Sequence, residues 1–321
     1  MCRGRSMAYA RKRQVLLVAL GLSVALYAWF LVTEFVDLFR TPSSDISYWK
    51  CEPRGAIKDP IQRKRPTNEI KVINLTNAGE FVNRCEVTDA LYELVCDQPN
   101  PEPECLPGSA AKPKLTLLYV HGWRHSSREG DSDLEAFSAL VKGLRGDPKV
   151  NKHVTGIYIG WNASAPLLPG PMELLSFWTK KGIADRIAQA GAVTKVVSAV
   201  GALSNASRGK GDQFITIGHS FGARLLFSAV GQSMAYEAER AHPGEKNGTF
   251  KVIRGPADAV ILLNPAFEAS RYTFIDTYRR IGEEKFSIGQ APLFLSISTT
   301  ADIPTRYAFP LGHWIDLKIR T

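Results

Sequence analysis

Beyond its first thirteen residues this 321-residue sequence has almost no excess of positive charge. The formal net charge is +9, but Arg3, Arg5, Arg11, Lys12 and Arg13 all precede the first acidic residue, Glu34, and the remainder carries only +4. No stripe of Lys and Arg interleaved with aromatics runs through that remainder, which argues against nucleic-acid binding. Cysteine is scarce, with five in all, no C-x-x-C pair and no histidine near the four beyond residue 50, so a zinc-ribbon reading falls away. No Lys follows the glycine-rich segment at 218–222 in the G-x-x-x-x-G-K-[ST] spacing, so a phosphate-binding loop is excluded. There is no internal repeat and no low-complexity tract, no cofactor motif and no metal-ligand set is read, and histidine is confined to positions 121, 125, 153, 219, 242 and 313. What is there, at 45% apolar residues, can bury the core of one enzyme-sized domain with appendages.

One long hydrophobic run is present, from Val15 to Val32, in which only Gly21 and Ser23 are not apolar. At roughly 1.5 Å per residue, eighteen helical residues span about 27 Å, enough for a bilayer core. No A-x-A cleavage site follows it; Glu34-Phe35-Val36-Asp37 does, which points to an uncleaved anchor rather than a signal peptide. The basic cluster before the run predicts a cytoplasmic tail over 1–13, a transmembrane helix over 14–33, and a single-pass inner-membrane protein whose remainder lies in the periplasm. Cys51, Cys85, Cys96 and Cys105 all follow the span, and an oxidising compartment allows them two disulfides in any of three connectivities. Residues 34–112 therefore read as a stapled segment, with Pro99, Pro101 and Pro103 forbidding regular structure near its end. Within it, Glu69 to Leu75 reads as a short strand and Thr88 to Val95 as a short helix.

From 113 to 321 short apolar runs alternate with helical stretches, the pattern of a mostly parallel sheet covered by helices on both faces. The strand signals are Leu115 to Val120, Val154 to Trp161, Phe214 to Gly218, Ala259 to Leu263 and Pro292 to Ser298. Ser132-Asp133-Leu134-Glu135 has capping-box spacing and opens an amphipathic helix that stops at Gly146. Phe177 to Leu203 reads as helix interrupted by Gly182, Gly191 and Gly201, its small residues favouring close packing as a cover.

Gly218-His219-Ser220-Phe221-Gly222 follows one strand and precedes a helix-compatible run, Ala223 to Val230. A serine on so sharp a turn needs glycines two before and two after to let the backbone pass, and the turn lifts its hydroxyl above the strand ends. Together with Tyr119-Val120-His121-Gly122-Trp123 and with Asp302 after the last strand, this segment resembles the α/β-hydrolase superfamily of lipase and esterase type, over roughly 113–316. Ile159-Gly160-Trp161, Leu263-Asn264-Pro265-Ala266-Phe267 and Tyr307-Ala308-Phe309-Pro310 are similar to segments of bacterial membrane-tethered members.

The resemblance implies a fold, an α/β-hydrolase-like sheet preceded by one N-terminal transmembrane helix, and a chemistry. Ser220 would be the nucleophile, Asp302 the orienting acid and His313 the base, in the family's chain order. His313 follows Asp302 by only eleven residues, a shorter interval than the family's helix and strand. His125 is the alternative base; His121 and His219 belong to motifs that act through backbone. Main-chain N–H groups of Phe221 and Trp123 would hold the oxyanion. Trp123, Arg124 and His125 lie where substrate would enter, Glu268 is a reserve carboxylate, and Asp258 lies at the wrong end of its strand. The implied substrate is a small-molecule or lipid ester, with no cofactor. The other reading is a hydrolase fold that has lost its base and serves as a binding or scaffold module at the membrane.

Overall fold

The computed structural model describes residues 70–95, 112–164, 173–241, 251–282, 287 and 289–299. The run from Val15 to Val32, Cys51, Cys96, Cys105, the three prolines between 99 and 103, Asp302 and His313 lie outside them. Among the described residues six strands form one all-parallel sheet: β1 (Ile70–Asn74), β2 (Lys114–Val120), β3 (His153–Gly160), β4 (Gln213–His219), β5 (Ala259–Leu263) and β6 (Phe294–Ile297). Six α-helices accompany them: α1 (Arg84–Val95), α2 (Ser132–Gly146), α3 (Glu173–Ala190), α4 (Ala192–Ala206), α5 (Phe221–Ala241) and α6 (Thr273–Gly282).

Parallel neighbours require crossovers, and the strand order β1-β3-β2-β4-β5-β6 shows where these change direction. From β2 the chain steps outward to β3; from β4 it steps the opposite way to β5 and β6. The reversal lies between β2 and β4, so their carboxyl ends open a crevice at the topological switch point, where ligands of such sheets bind.

Side-chain alternation along the strands separates two cores. Leu115 and Leu117 of β2, Val154 and Tyr158 of β3, and Val72 of β1 pack on Leu134, Phe137 and Val141 of α2. Leu118 and Val120, Ile157 and Ile159, Ile73, Val260 and Leu262 point the other way, onto α1, α3, α4 and α5. The expected mostly parallel sheet with helices on both faces is therefore what forms. β1 pairs with β3 and α1 packs on the second core, so residues 70–95, expected in the stapled segment, belong to this same sheet. Cys85, at the start of α1, is disulfide-bonded.

Three local differences from the sequence reading have simple causes. α2 is capped by Asp131 rather than Ser132: the Asp131 carboxylate accepts from the main-chain N–H of Asp133 at 3.0 Å and of Leu134 at 3.4 Å, and a charged acceptor at the positive helix end outcompetes a hydroxyl one residue later. The long helical stretch breaks only at Gly191, whose φ of 75° is left-handed, into α3 and α4 bent by 49°; their buried Ile183, Ile187, Val193, Val196, Val197 and Val200 make them sheet-covering helices. α1 begins at Arg84, four residues before the expected Thr88, because the Asn83 side chain accepts the Cys85 N–H at 2.9 Å and starts the helix there. Among the described residues no single helix is long and apolar enough to cross a membrane.

Candidate active site

Ser220 is the one residue between β4 and α5, and its φ of 53° lies in the left-handed region that a side chain normally avoids. Such strain persists only where surroundings impose it. Here the Ser220 N–H donates to Leu263 O at 2.9 Å, and Ser220 O accepts from Ala266 N–H at 3.2 Å and Arg224 N–H at 3.3 Å. The segment Leu263-Asn264-Pro265-Ala266-Phe267 thus braces the turn, with Asn264 itself at φ 45°. The glycines around Ser220 are there for room. A methyl group on Gly218 would stand 2.6 Å from Ala223 Cα, and one on Gly222 would collide with the Val120 carbonyl. One on Gly122 would stand 2.9 Å from both Ser220 Cβ and His219 O, which places the loop after β2 directly against the serine, in the crevice between β2 and β4.

Phe221 opens α5, so its N–H is one of the helix's orphan donors beside a positive dipole end. Among the described residues neither the Phe221 nor the Trp123 main-chain N–H has an acceptor, whereas the next one, Arg124 N–H, is taken by Ala163 O at 3.0 Å. The Trp123 indole is packing: it is buried, donates to Ser176 Oγ at 3.2 Å and lies edge-on to Phe177.

His121 is fully buried, stacked between Tyr158 and Trp161. Its Nε2 accepts the Trp161 N–H at 3.0 Å, so its proton sits on Nδ1, which donates to Gly122 O at 2.9 Å. Burial holds its pKa down at about 4, and Trp161 Nε1 closes the arrangement by donating to His121 O at 2.9 Å. His121 is therefore a neutral strut for the loop, which also explains why Ile159-Gly160-Trp161 accompanies it.

The other two nearby histidines meet carboxylates. His219 Nδ1 lies 3.1 Å from Asp133 Oδ2, which also accepts the Tyr119 hydroxyl at 2.8 Å. His125 Nδ1 lies 3.2 Å from Asp131 Oδ1 and its Nε2 lies 3.4 Å from Asp133 Oδ1. Both ring nitrogens of His125 are thus turned toward carboxylates, and among the described residues neither is hydrogen-bonded to Ser220. Burial opposes ionisation of Asp133, yet the His219 hydrogen bond and the nearby His125 hold its carboxyl below the ordinary range. Neither aspartate was singled out in the sequence; the only signal was their placement at the start of a helix that follows the His-Gly motif.

On the α5 side of the serine a second polar cluster forms. Arg224, 2% exposed, donates to Asp185 from Nε at 2.6 Å and Nη2 at 3.0 Å, and from Nη1 to Glu268 at 3.0 Å and Ala266 O at 3.3 Å. Arg271 and Lys181 complete it on the same two carboxylates. Glu268 is thus consumed by cations: burial works against its charge, but Lys181 and Arg224 bring its pKa down to about 2. Asp258 sits at the opposite end of β5, accepting Phe214 N–H and pairing with Arg208. Neither orients a histidine among the described residues.

No protein-family model matches the chain, and no curated protein does. Among solved structures it is similar to Thermogutta terrifontis esterase 2 phosphorylated by paraoxon, at 13% identity over 66% of this chain and 86% of that one, with a TM-score of 0.27. The same enzyme phosphonylated by cyclosarin aligns at 10% identity over 68% and 87%, TM-score 0.27. A propionate-bound form aligns at 11% over 68% and 86%, TM-score 0.25. Likeness this low carries no weight for chemistry, and the α/β-hydrolase-like assignment stands on the parallel six-stranded sheet and the turn at Ser220.

Proposed function

We propose that this chain is a membrane-anchored serine hydrolase that cleaves carboxylic esters, small-molecule or lipid, through an acyl-enzyme on Ser220. The observation that carries this reading is the left-handed φ of 53° at Ser220, braced by Leu263 and Ala266 at the carboxyl end of β4. A backbone held in that region at a strand-to-helix turn is a feature of sites that project a nucleophile. In the mechanism, His313, oriented by Asp302, takes the hydroxyl proton as Ser220 Oγ attacks the ester carbonyl carbon. The tetrahedral oxyanion rests on the N–H groups of Phe221 and Trp123, each such donor being typically worth about 3 to 4 kcal/mol of barrier. The same histidine returns the proton to the departing alkoxide, and water attacks the acyl-serine by the reverse path. The run at 15–32 holds the enzyme to the inner membrane with the sheet in the periplasm, where Cys51, Cys85, Cys96 and Cys105 form disulfides.

A fluorophosphonate probe tests the core of the proposal. Labelling of the wild type that disappears in Ser220→Ala and drops at least about 100-fold in rate in His313→Ala supports the triad. A folded wild type that takes no label favours the binding or scaffold reading instead. Labelling that survives His313→Ala moves the base elsewhere.

A further inference from the structure

The polar groups around His125 are more than one proton can satisfy by halves. A neutral imidazole has one N–H, yet both nitrogens of His125 face carboxylate oxygens, at 3.2 Å (Asp131) and 3.4 Å (Asp133). One nitrogen would then present a lone pair to an anion. A cation seated among these atoms would be met by lone pairs and carboxylate oxygens. His125, Asp133 and His219 offer three ligand atoms all within 4.8 Å of one another. Atoms bound about 2.0 to 2.1 Å from a tetrahedral ion stand about 3.3 to 3.4 Å apart. His125 Nε2 stands 3.4 Å from Asp133 Oδ1 and His219 Nδ1 stands 3.1 Å from the same carboxylate's other oxygen, Oδ2, so the two imidazoles address one carboxylate.

The surroundings supply the outer support such a site requires. Histidines that bind a metal through one nitrogen donate the other N–H to a carboxylate, which fixes the ring. Asp131 does this for Nδ1 of His125 and is itself immobilised, accepting from the main-chain N–H of Ser126 at 2.7 Å, of Asp133 at 3.0 Å and of Leu134 at 3.4 Å. Asp133 is steadied by the Tyr119 hydroxyl. The three ligand side chains come from a loop, a helix start and a strand end, brought together only by the switch-point topology.

We propose that His125, Asp133 and His219 bind one divalent transition-metal ion of the zinc class, with Asp131 as the outer partner that orients His125. Two imidazoles and one carboxylate are a donor set suited to such ions, and three protein ligands leave a coordination position for water or a substrate oxygen. His219 adjoins Ser220, so the ion would stand beside the serine turn. The proposal does not depend on the hydrolase reading.

The test is a Zn2+ titration of untagged full-length protein, stripped with EDTA and competed against a chromophoric chelator. One equivalent bound in the wild type, weakened at least about 100-fold in His125→Ala and His219→Ala and about 10-fold to 100-fold in Asp131→Asn, is the expected result. Ser220→Ala retains the full equivalent, which separates this site from the catalytic proposal. Circular dichroism checks each fold, and His125→Gln replaces His125→Ala if the latter unfolds. Co2+ in place of Zn2+ reports the histidine ligands by its visible bands, altered in His219→Ala. A wild type that does not compete with the chelator overturns the proposal, as does an equivalent that both histidine variants retain.

Discussion

Two polar clusters flank the serine turn, and they are built on opposite plans. On the α5 side, Arg224, Arg271 and Lys181 face Asp185 and Glu268: cations outnumber carboxylates, four hydrogen bonds hold the buried guanidinium, and three segments are tied to one another. On the α2 side, the side chains that meet Asp131 and Asp133 are two imidazoles, a tyrosine hydroxyl and the Ser126 hydroxyl, with no lysine or arginine among the described residues. A closed set of charges fixes architecture because every partner is spent. An open set, with imidazoles in place of fixed cations, has capacity for a proton or a metal ion. The same few residues of chain, from His219 to Arg224, contribute to both.

The largest expected effect comes from breaking the closed cluster. Arg224→Met takes the buried guanidinium from Asp185 and Glu268, leaving them Arg271 and Lys181, and should lower unfolding stability by about 2 to 4 kcal/mol, measured by urea denaturation. A loss under about 1 kcal/mol would show that solvent, not the guanidinium, compensates these carboxylates. The strut beneath the loop and the closed cluster are probed next, by pH. His121 stays neutral when folded and charges below about 6.5 when unfolded, so its contribution is complete above pH 6.5 and is lost as pH falls toward 4. That amounts to about 3 kcal/mol, and the difference between wild type and His121→Asn across this window should show it. Glu268 acts lower, its contribution present above about 4.5 and lost as pH falls toward about 2. The smallest effect concerns the turn between the clusters. Gly222→Ala forces Cβ onto the Val120 carbonyl and should cost about 1 to 3 kcal/mol. Gly143→Ala, in α2 with nothing within 4 Å, should instead stabilise by about 0.5 to 1 kcal/mol. Equal effects would remove the steric account of the turn.

The strands, the start of α2 and the serine turn were legible because their signals are local: apolar runs of fixed length, a capping residue near 131–132, glycines two before and two after Ser220. The brace from Leu263 and Ala266 was visible only as a motif, since its purpose depends on β5 lying beside β4. Asp133 could not be paired with His219 from spacing, because 86 residues and a reversal of strand order separate them. Arg224 was passed over for a related reason. A charged residue in a helix is ordinarily solvated, and nothing short of the packing of α3 against α5 reveals that this one is sealed in. Asp302 and His313 remain readings of the sequence, outside the described residues.

The stitching of Ser220 to Leu263 and Ala266 has a kinetic corollary. Its amide and its carbonyl are both engaged by the neighbouring strand's exit, so the Ser220 main chain cannot shift without dragging the end of β5 along. The main chain of the turn behaves as a fixed post, and only rotation about the side chain's own Cα–Cβ bond re-aims the hydroxyl.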